Sequence, residues 1–559
     1  MGAPEVLVLR DDERAAHRVG RVIAGSGADY LVMIEAGGRR AEPVSAGDHL
    51  VFGAADARSV AVVTATSVPA PAGDDDLDEI WIAEVTLIGT LRPTGFDRGV
   101  LHPPGLGDAA QRAEPDDLST IYGAGEGRVA IGTLARLPEI EACVRMDALA
   151  TGFGVFGTSA SGKSCTLATL VRGLLRRRAA VRPVLLDAHD EYERSFGRAA
   201  KVIRPGAGFV PHWLLTFDEL CWVLSLDGDR LQAEEIALLS EAVPAARRRM
   251  LQRYGEETAV PVTLDAPSPW RLSDAVSWLD KNLHADRDRA SGSYKRLRAR
   301  LVGAPTDARL RSVFGAVAAT DSLPGLLCDV FGLGAPPGAP PMTIVQLGRL
   351  ELGLDRLVAA VLCRLALAVG EGTGGRVQTL LLAEDAERYA PRDEANRIAE
   401  LSRQAMEGLA RRGARVGAGL GVTSARPGLV SPRLMAELPT AFVHRLPSGE
   451  AQRDLTEHLP EGGAATIAGA NTLGQGDCIA LGRAVAAPGL LRIAALPDAA
   501  LPRSARGGPV DANAQGAELV ARLISRWRFG AECETSSGPP PASLRAGGTN
   551  PPPRIVPAA

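Results

Sequence analysis

The stretch Phe153-Gly-Val-Phe-Gly-Thr-Ser-Ala-Ser-Gly-Lys-Ser164 decides the fold. It has the P-loop spacing, in which Gly157 is followed after four residues by Gly162-Lys163-Ser164. A short apolar run precedes this loop, and apolar residues at helical spacing follow from Lys163 to Arg178. The order of strand, loop and helix predicts a phosphate cradle, because the loop N–H groups and the helix N-terminus then point at a bound phosphate chain.

The loop chemistry predicts ATP with Mg²⁺ as the ligand. Lys163 would reach the β- and γ-phosphates, and the Ser164 hydroxyl would join the Mg²⁺ shell. The alternative is a simple Gly/Ser-rich turn, which would not need a strand before it and a helix after it. The residues that we expect to contact the nucleotide are Gly157, Thr158, Ser159, Ala160, Ser161, Gly162, Lys163, Ser164 and Cys165.

The composition singles out the same loop. Of the 62 basic residues only four are lysines, namely Lys163, Lys201, Lys281 and Lys295. A chain that uses arginine almost everywhere keeps lysine where a compact ammonium is required, as in the P-loop.

The overall numbers indicate a cytoplasmic multidomain protein. A chain of 559 residues forms about two to four domains. The net charge of −4 gives no general basic field, so any nucleic-acid contact requires a local patch or an assembled surface. The seven cysteines form no Cys-x-x-Cys pair, which argues against disulfides and zinc. No signal peptide or membrane-spanning run is evident.

The pattern along the chain predicts an α/β protein with a parallel-sheet P-loop core, a small N-terminal β-barrel and a helical insertion. The prediction of the barrel is based on short runs rich in β-branched residues, which are separated by Gly and Asp clusters. The predicted segments are 1–92 barrel, 93–128 extended Gly/Pro-rich connector, 129–212 first core part, 213–335 helical insertion, 336–497 second core part, 498–532 C-terminal helix and 533–559 disordered tail.

The insertion carries two basic clusters, Arg247-Arg-Arg249 and Lys295-Arg-Leu-Arg-Ala-Arg300. They could contact a phosphate backbone. A solvated helix face is the commoner explanation of such clusters, and the sequence leaves both open.

Two adjacent acids follow an apolar strand, as in a Walker B motif. The run Thr379–Ala383 ends in Glu384-Asp385. Hydrolysis needs a carboxylate on Mg²⁺ and a group that activates water, so we assign Glu384 to the metal and Asp385 to the water. The order is the reverse of the usual Asp-Glu, and the acids could instead cap a following turn.

Two further strand ends carry polar groups. Asp187-Ala-His-Asp-Glu191 follows one strand, and Ser424-Ala-Arg426-Pro427 ends another. Ligands of such sheets bind at the carboxyl ends of the strands, so these groups are expected to converge on the nucleotide. His189 is either a ligand or a merely exposed or hydrogen-bonded loop histidine.

These motifs together resemble the HerA family of ring-forming ATPases, relatives of FtsK-type DNA pumps within the RecA-like group. The resemblance covers roughly residues 17–497. Besides the P-loop it includes Leu186-Asp-Ala-His-Asp-Glu-Tyr192, the Glu384-Asp385-Ala386 run with Pro391, the basic segment Arg411–Gly417, and Gly476–Gly482.

The resemblance implies a homohexamer that hydrolyses ATP at subunit interfaces and translocates along double-stranded DNA. Members often work with a nuclease such as NurA in DNA end processing and repair, and some belong to antiphage systems. An arginine from the neighbouring subunit would stabilise the transferring phosphoryl group. Arg411 and Arg415 are the candidates, with Arg426 and Arg445 weaker.

One departure from the family leaves a second function open. The family usually has Gln where this chain has Ala425, so an amide that could order the attacking water is missing. A nucleotide-dependent hexameric scaffold that assembles a partner effector with little hydrolysis is therefore the alternative to a motor. A conjugation-type coupling ATPase would be expected to carry a membrane anchor, and none is evident.

Overall fold

The computed structural model describes residues 18–503, with gaps at 36–43, 54–56, 69–79, 178–180, 227–229, 255–262, 286–290, 316–320, 352, 394–395, 448 and 459–466. The chain divides into two compact units, residues 1–504 and 505–559. Of the second unit only Val520, Ile524 and Trp527 are described. The predicted C-terminal helix therefore lies mostly outside the described residues, and the predicted tail lies wholly outside them.

The first sheet is the predicted small barrel, which is confirmed. Its strands run in the order β2-β1-β7-β3-β4-β5-β6, and pairing of β2 with β5 closes the barrel. Alternate side chains point inward, as the two-residue period of a strand requires, so that Val22, Val32, Leu50 and Val85 form a buried core. The strands are β1 Arg18–Ser26, β2 Asp29–Ile34, β3 His49–Phe52, β4 Arg58–Ser67, β5 Trp81–Arg92, β6 Gly95–Arg98 and β7 Ala109–Arg112.

The segment 93–128 differs from the predicted extended connector. It contains β6, β7 and a helix, α1 (Pro115–Tyr122). β7 pairs with both β1 and β3 and is needed to close the barrel. Its sequence, Ala-Ala-Gln-Arg, has no β-branched or aromatic residue, so nothing in it signals a strand. The barrel therefore extends past the predicted boundary at residue 92.

The second sheet is the core that positions the site. Seven parallel strands lie in the order β12-β13-β11-β14-β15-β10-β16, and antiparallel β17, β18, β8 and β9 extend it. Their bounds are β8 Arg128–Leu134, β9 Glu141–Arg145, β10 Gly152–Phe156, β11 Val181–Asp187, β12 Ala200–Ile203, β13 Met342–Gln346, β14 Gln378–Ala383, β15 Ala418–Ser424, β16 Thr440–Val443, β17 Asp477–Gly482 and β18 Gly489–Ile493.

Helices cover both faces of this sheet. Leu380 and Leu382 of β14 pack in one apolar cluster, while Leu381 and Ala383 pack in another on the opposite face. Burial on both faces explains the continuous apolar runs of the parallel strands. The helices of this core are α2 Met146–Thr151, α3 Lys163–Arg176, α4 Glu193–Phe196, α11 Leu354–Thr373, α12 Ala386–Tyr389, α13 Arg397–Gly413, α14 Pro432–Ala436 and α15 Gly449–His458.

The segment between β12 and β13 is helical in its described part. Its helices are α5 Phe217–Val223, α6 Ala233–Tyr254, α7 Leu272–Ala285, α8 Ser291–Gly303, α9 Arg311–Phe314 and α10 Leu323–Phe331.

The basic clusters of this segment mostly serve the helices themselves. Arg247 is only 1% exposed and donates to the carbonyl oxygen of Leu264 at 2.7 Å, so it cannot reach a DNA backbone. Arg249 pairs with the buried Asp274 at 3.4 Å. In the other cluster Arg296 pairs with the buried Glu235 at 3.0 Å. These contacts indicate that the arginines of both clusters stabilise the helical segment, and they argue against the interpretation of the clusters as phosphate contacts.

A buried hydrogen-bond chain joins the barrel to the core. The Tyr122 hydroxyl donates to the carbonyl oxygen of Pro488 at 2.7 Å. It therefore accepts from Nε2 of the barrel residue His49, which is also 2.7 Å away. Arg98 of β6 adds a hydrogen bond to the carbonyl oxygen of Ala486 at 3.0 Å. The two sheets are thus connected by specific polar contacts.

Candidate nucleotide-binding site

The P-loop turns from β10 into α3 through two glycines in left-handed backbone conformations. Gly157 has φ of +150° and Gly162 has φ of +118°. A Cβ atom on Gly157 would lie 2.6 Å from the Cβ of His444, so no side chain fits there. The Gly157 N–H donates to the carbonyl oxygen of Ser424 at 3.2 Å, which fixes the loop to the end of β15. The loop is thereby held at the N-terminus of α3, where a phosphate chain is favoured.

Lys163 lies at the centre of the site. Its ammonium donates to the carbonyl oxygen of Thr158 at 2.9 Å, within the loop. Burial lowers the pKa of Lys163, while Asp385, Glu387, Glu384 and Glu191 oppose this effect by their charge. Glu384 and Asp385 follow the end of β14, and Glu191 follows the end of β11, which are strand ends where the sequence predicts polar groups beside the nucleotide.

His444 packs against the P-loop at Gly157, and no motif in the sequence identified this residue. Its Nδ1 donates to the carbonyl oxygen of Asp477 at 2.8 Å, so Nε2 accepts from the Thr166 hydroxyl, also at 2.8 Å. Burial lowers the pKa of His444 to about 4, so the ring is neutral. The next residue, Arg445, accepts the Thr158 N–H at its carbonyl oxygen at 3.0 Å. The end of β16 thus holds the P-loop from the side opposite β15.

Glu384 is a buried acid at the end of β14. It is 4% exposed and accepts a hydrogen bond from the Ala188 N–H at 3.2 Å. Burial, followed by the nearby Asp187 and Glu191, raises the pKa of Glu384 to about 8. Such an excess of acids is relieved by a cation.

A nucleotide-bound Mg²⁺ fits these residues. No group of three or more His, Cys, Asp or Glu side chains in the described part of the chain is arranged to hold a metal by itself. Mg²⁺ in P-loop sites does not need one, since it takes oxygens from substrate phosphates and water besides one or two protein ligands. Ser164 and Glu384 are the residues that would supply these ligands.

Asp385 diverges from its neighbour, Glu384. It has a left-handed backbone with φ of +53°, and its N–H donates to the Thr423 hydroxyl at 3.2 Å. Its Oδ2 lies 2.7 Å from Nε2 of His189. This contact lowers the pKa of Asp385 and raises that of His189 to about 9, so the two form an ion pair. His189 is thus a hydrogen-bonded residue of the site.

The acids of the loop after β11 have different tasks. Asp187 is fully buried and accepts the N–H groups of Glu191 and Tyr192 at 3.0 and 3.1 Å. It therefore shapes the loop. Glu191 is half-buried with a raised pKa, caused first by burial, and adds negative charge beside Lys163.

The candidate trans arginines lie far from the P-loop of their own chain. Arg411 is in the last turn of α13 and Arg415 in the turn 414–416, both before β15 begins. The P-loop lies at the other end of β15, and a strand of seven residues is about 20 Å long. Both side chains are exposed and make no hydrogen bond or ion pair within the described residues. Arg426 and Arg445 lie instead at the P-loop end of the sheet, and both are exposed.

A separate cavity of about 910 Å³ lies behind α3. It is lined by Thr169, Arg172 and Arg176 of that helix and by 492–497. No residue of 157–164 lines it, so it is distinct from the candidate nucleotide site.

The fold and the site together define a RecA-like P-loop ATPase. A P-loop strand, a neighbouring parallel strand and an acid-bearing strand end at one edge, next to a P-loop helix. Residues 129–366 match the family model described as the central domain of the helicase HerA. The predicted resemblance to the HerA family is confirmed by this match.

Similar proteins come from two kinds of comparison. The chain is 23% identical over 426 residues to the DNA double-strand break repair helicase HerA of Pyrococcus furiosus, which covers 69% of this chain and 73% of the relative. Among solved structures, VirB4 of Thermoanaerobacter pseudethanolicus has a TM-score of 0.47 at 15% identity, covering 67% of this chain and 99% of VirB4. The plasmid coupling protein TrwB with ADP and Mg²⁺ has a TM-score of 0.42 at 13% identity, covering 70% of this chain and 95% of TrwB.

Within the described ranges, none of the helices combines the length and the apolar character that a bilayer crossing requires.

Proposed function

We propose that this protein is an ATP-driven, ring-forming DNA translocase or helicase of the HerA type. In this proposal it acts with a partner nuclease or other effector in DNA end processing or antiphage defence. The observation that carries the proposal is that the P-loop strand β10, the strand β15 and the acid-bearing strand β14 are adjacent and parallel, so that Lys163 and the pair Glu384 and Asp385 follow strand ends at one edge of the sheet. A P-loop alone binds phosphate, whereas hydrolysis also needs acids for Mg²⁺ and for water.

In this proposal each residue of the nucleotide site has a separate task in ATP hydrolysis. The P-loop N–H groups and Lys163 bind the phosphates, and Ser164 and Glu384 would hold Mg²⁺, which neutralises phosphate charge. Asp385 orients and deprotonates the attacking water. The ion pair with His189 at 2.7 Å keeps the Asp385 carboxylate ionised and fixes its direction.

DNA binding is expected from the assembled ring. The relative from Pyrococcus furiosus is described as a DNA double-strand break repair helicase. A subunit with net charge −4 does not attract DNA by its overall charge. A ring that repeats one local basic feature around a channel would bind DNA with a steep salt dependence, since log affinity falls by about 0.9 per phosphate neutralised.

Displacement of a triplex-forming strand from double-stranded DNA tests translocation. The full-length protein is expected to displace the third strand with ATP and Mg²⁺, and Lys163→Ala is expected to leave it bound. Raising the salt concentration should slow the start of displacement more steeply than it slows ATP hydrolysis. Hydrolysis without any displacement would contradict the proposed motor.

A scaffold function is the second candidate, because Ala425 stands where the family usually has Gln and because the acids follow in the order Glu384-Asp385 instead of the usual Asp-Glu. A scaffold would assemble on adding ATP and Mg²⁺ and recruit its effector, yet hydrolyse little. Nucleotide-dependent assembly combined with negligible turnover is the result that favours it over the motor.

A further inference from the structure

Arg426 lies where a strand end meets the P-loop. It follows β15, which runs between the P-loop strand β10 and the acid-bearing strand β14. The last residue of β15, Ser424, accepts the Gly157 N–H at its carbonyl oxygen. The Ser424 hydroxyl accepts the Arg426 N–H at 3.0 Å. Arg426 is therefore tied through one residue to the first glycine of the loop.

Glu387 faces the same strand end from α12. Its side chain is 8% exposed, and its Oε1 lies 3.7 Å from Nε of Arg426. Its Oε2 is buried and has no hydrogen-bond partner among the described residues. The charge of Glu387 also opposes the lowering of the Lys163 pKa by burial.

The contact between Arg426 and Glu387 is loose. The 3.7 Å distance exceeds that of a hydrogen bond, and the Arg426 side chain is 70% exposed. Ion pairs of this kind are weak. Arginine binds a phosphate group much more strongly, through two parallel charge-assisted hydrogen bonds. A phosphate at the end of β15 would therefore compete successfully with Glu387 for the guanidinium.

We propose that Arg426 senses the γ-phosphate of ATP bound in its own subunit, and that Glu387 competes with that phosphate for the guanidinium. The inference rests on the proposed ATPase function. Ala425 cannot reach a phosphate, so Arg426 is the first side chain after Ser424 that can. With ADP, which has no γ-phosphate, Arg426 stays with Glu387. With ATP it moves to the phosphate, and its link through Ser424 carries this change to β15.

Binding of ADP and of a non-hydrolysable ATP analogue, AMP-PNP, to the full-length protein with Mg²⁺ tests the inference. In titration calorimetry Arg426→Ala should weaken AMP-PNP binding about tenfold, as expected for loss of a hydrogen bond to a charged group. Glu387→Gln should strengthen AMP-PNP binding, because its carboxylate no longer competes. In both variants ADP binding should change much less than AMP-PNP binding, because ADP lacks the γ-phosphate for which the two side chains compete. Arg426→Lys keeps the charge without the planar fork and should fall between wild type and Arg426→Ala.

The opposite signs of the two variants separate sensing from a structural role. If Arg426→Ala and Glu387→Gln weaken ADP and AMP-PNP binding alike, the pair only supports the fold and the inference is wrong. The inference is also wrong if Arg445→Ala weakens AMP-PNP binding relative to ADP binding and Arg426→Ala does not. Arg433→Ala, at an exposed arginine on α14, is the matched control. A wild type that binds no nucleotide would overturn the proposed function itself. If the wild type binds both nucleotides and Arg426→Ala binds AMP-PNP as tightly as the wild type does, only the role of Arg426 as a γ-phosphate sensor is overturned.

Discussion

Glu384 and Asp385 are adjacent in sequence but occupy different environments. Glu384 is buried against the Ala188 N–H, where neighbouring acids raise its pKa. Asp385 turns through a left-handed backbone toward His189, which lowers its pKa. The first environment suits a carboxylate that receives a cation, and the second keeps a carboxylate ionised and fixed in direction.

Substitution of the two acids should separate their roles. Asp385→Asn is expected to bind ATP normally and to lower turnover about 10²- to 10⁴-fold, because it removes the proton acceptor. Glu384→Gln is expected to raise the Mg²⁺ concentration needed for binding as well. Steady-state hydrolysis and nucleotide binding at varied Mg²⁺ measure both effects, with Glu437→Gln as an exposed control. Normal turnover in Asp385→Asn would assign water activation to Glu384 instead.

The residues that could be predicted from the sequence are those whose signal is local. The P-loop and the acidic pair each follow a recognisable strand, so their positions required no knowledge of distant contacts. His444 could not be found in this way, because its partner Thr166 lies 278 residues away in sequence. The role of Glu387 likewise could not be predicted, because its partner Arg426 follows β15 and lies 39 residues further along the chain.

At the scale of elements, the helical segment encloses a neutral histidine. His212 is 3% exposed and donates from Nε2 to the carbonyl oxygen of Trp270 at 3.0 Å. Its ring meets that of Trp270 edge-on at 4.6 Å and stacks on Phe314 at 5.6 Å. Burial lowers the pKa of His212 to about 4. Protonation would place a charge inside this aromatic cluster.

Stability is therefore expected to depend on pH through His212. A pKa lowered by folding means that the stability is present above the unfolded pKa of about 6.5 and is lost as the pH falls toward about 4. Between pH 7 and 5 this histidine alone should cost about 2 kcal/mol. Urea unfolding of wild type and His212→Gln at both pH values measures it. His102→Gln, at an exposed histidine, should retain the wild-type dependence, and an equal dependence in His212→Gln would contradict the assignment.

The element boundaries show why the barrel was only partly predictable. β4 and β5 are rich in β-branched residues and were visible as strands. β7 has none and is defined by the two neighbours that it joins. The pairing that closes a barrel is long-range and leaves no local signal in a short polar strand.

At the scale of the whole molecule, the arginines divide into two groups at opposite ends of β15. Arg426 lies beside the P-loop of its own chain, whereas Arg411 and Arg415 lie at the far end and are exposed. An arginine at the far end can complete a nucleotide site only in a neighbouring subunit. A ring of identical interfaces would repeat this arrangement at every site.

Mixing two inactive variants tests this arrangement. Neither Arg411→Ala nor Lys163→Ala should hydrolyse ATP by itself. Mixed rings should regain activity, because some interfaces then combine an intact P-loop with an intact arginine. The recovered rate should pass through a maximum as the mixing ratio varies. No recovery at any ratio, in mixtures shown to share rings, would exclude Arg411, and the same experiment with Arg415→Ala decides between the two.

The most direct test of the central claim is the steady-state rate of ATP hydrolysis by the full-length protein as double-stranded DNA is added. A DNA-dependent motor with its catalytic site at Lys163, Glu384 and Asp385 predicts a rate that rises with DNA, saturates, and is abolished in Lys163→Ala. A rate that is unaffected by DNA, or that persists in Lys163→Ala, would contradict the account.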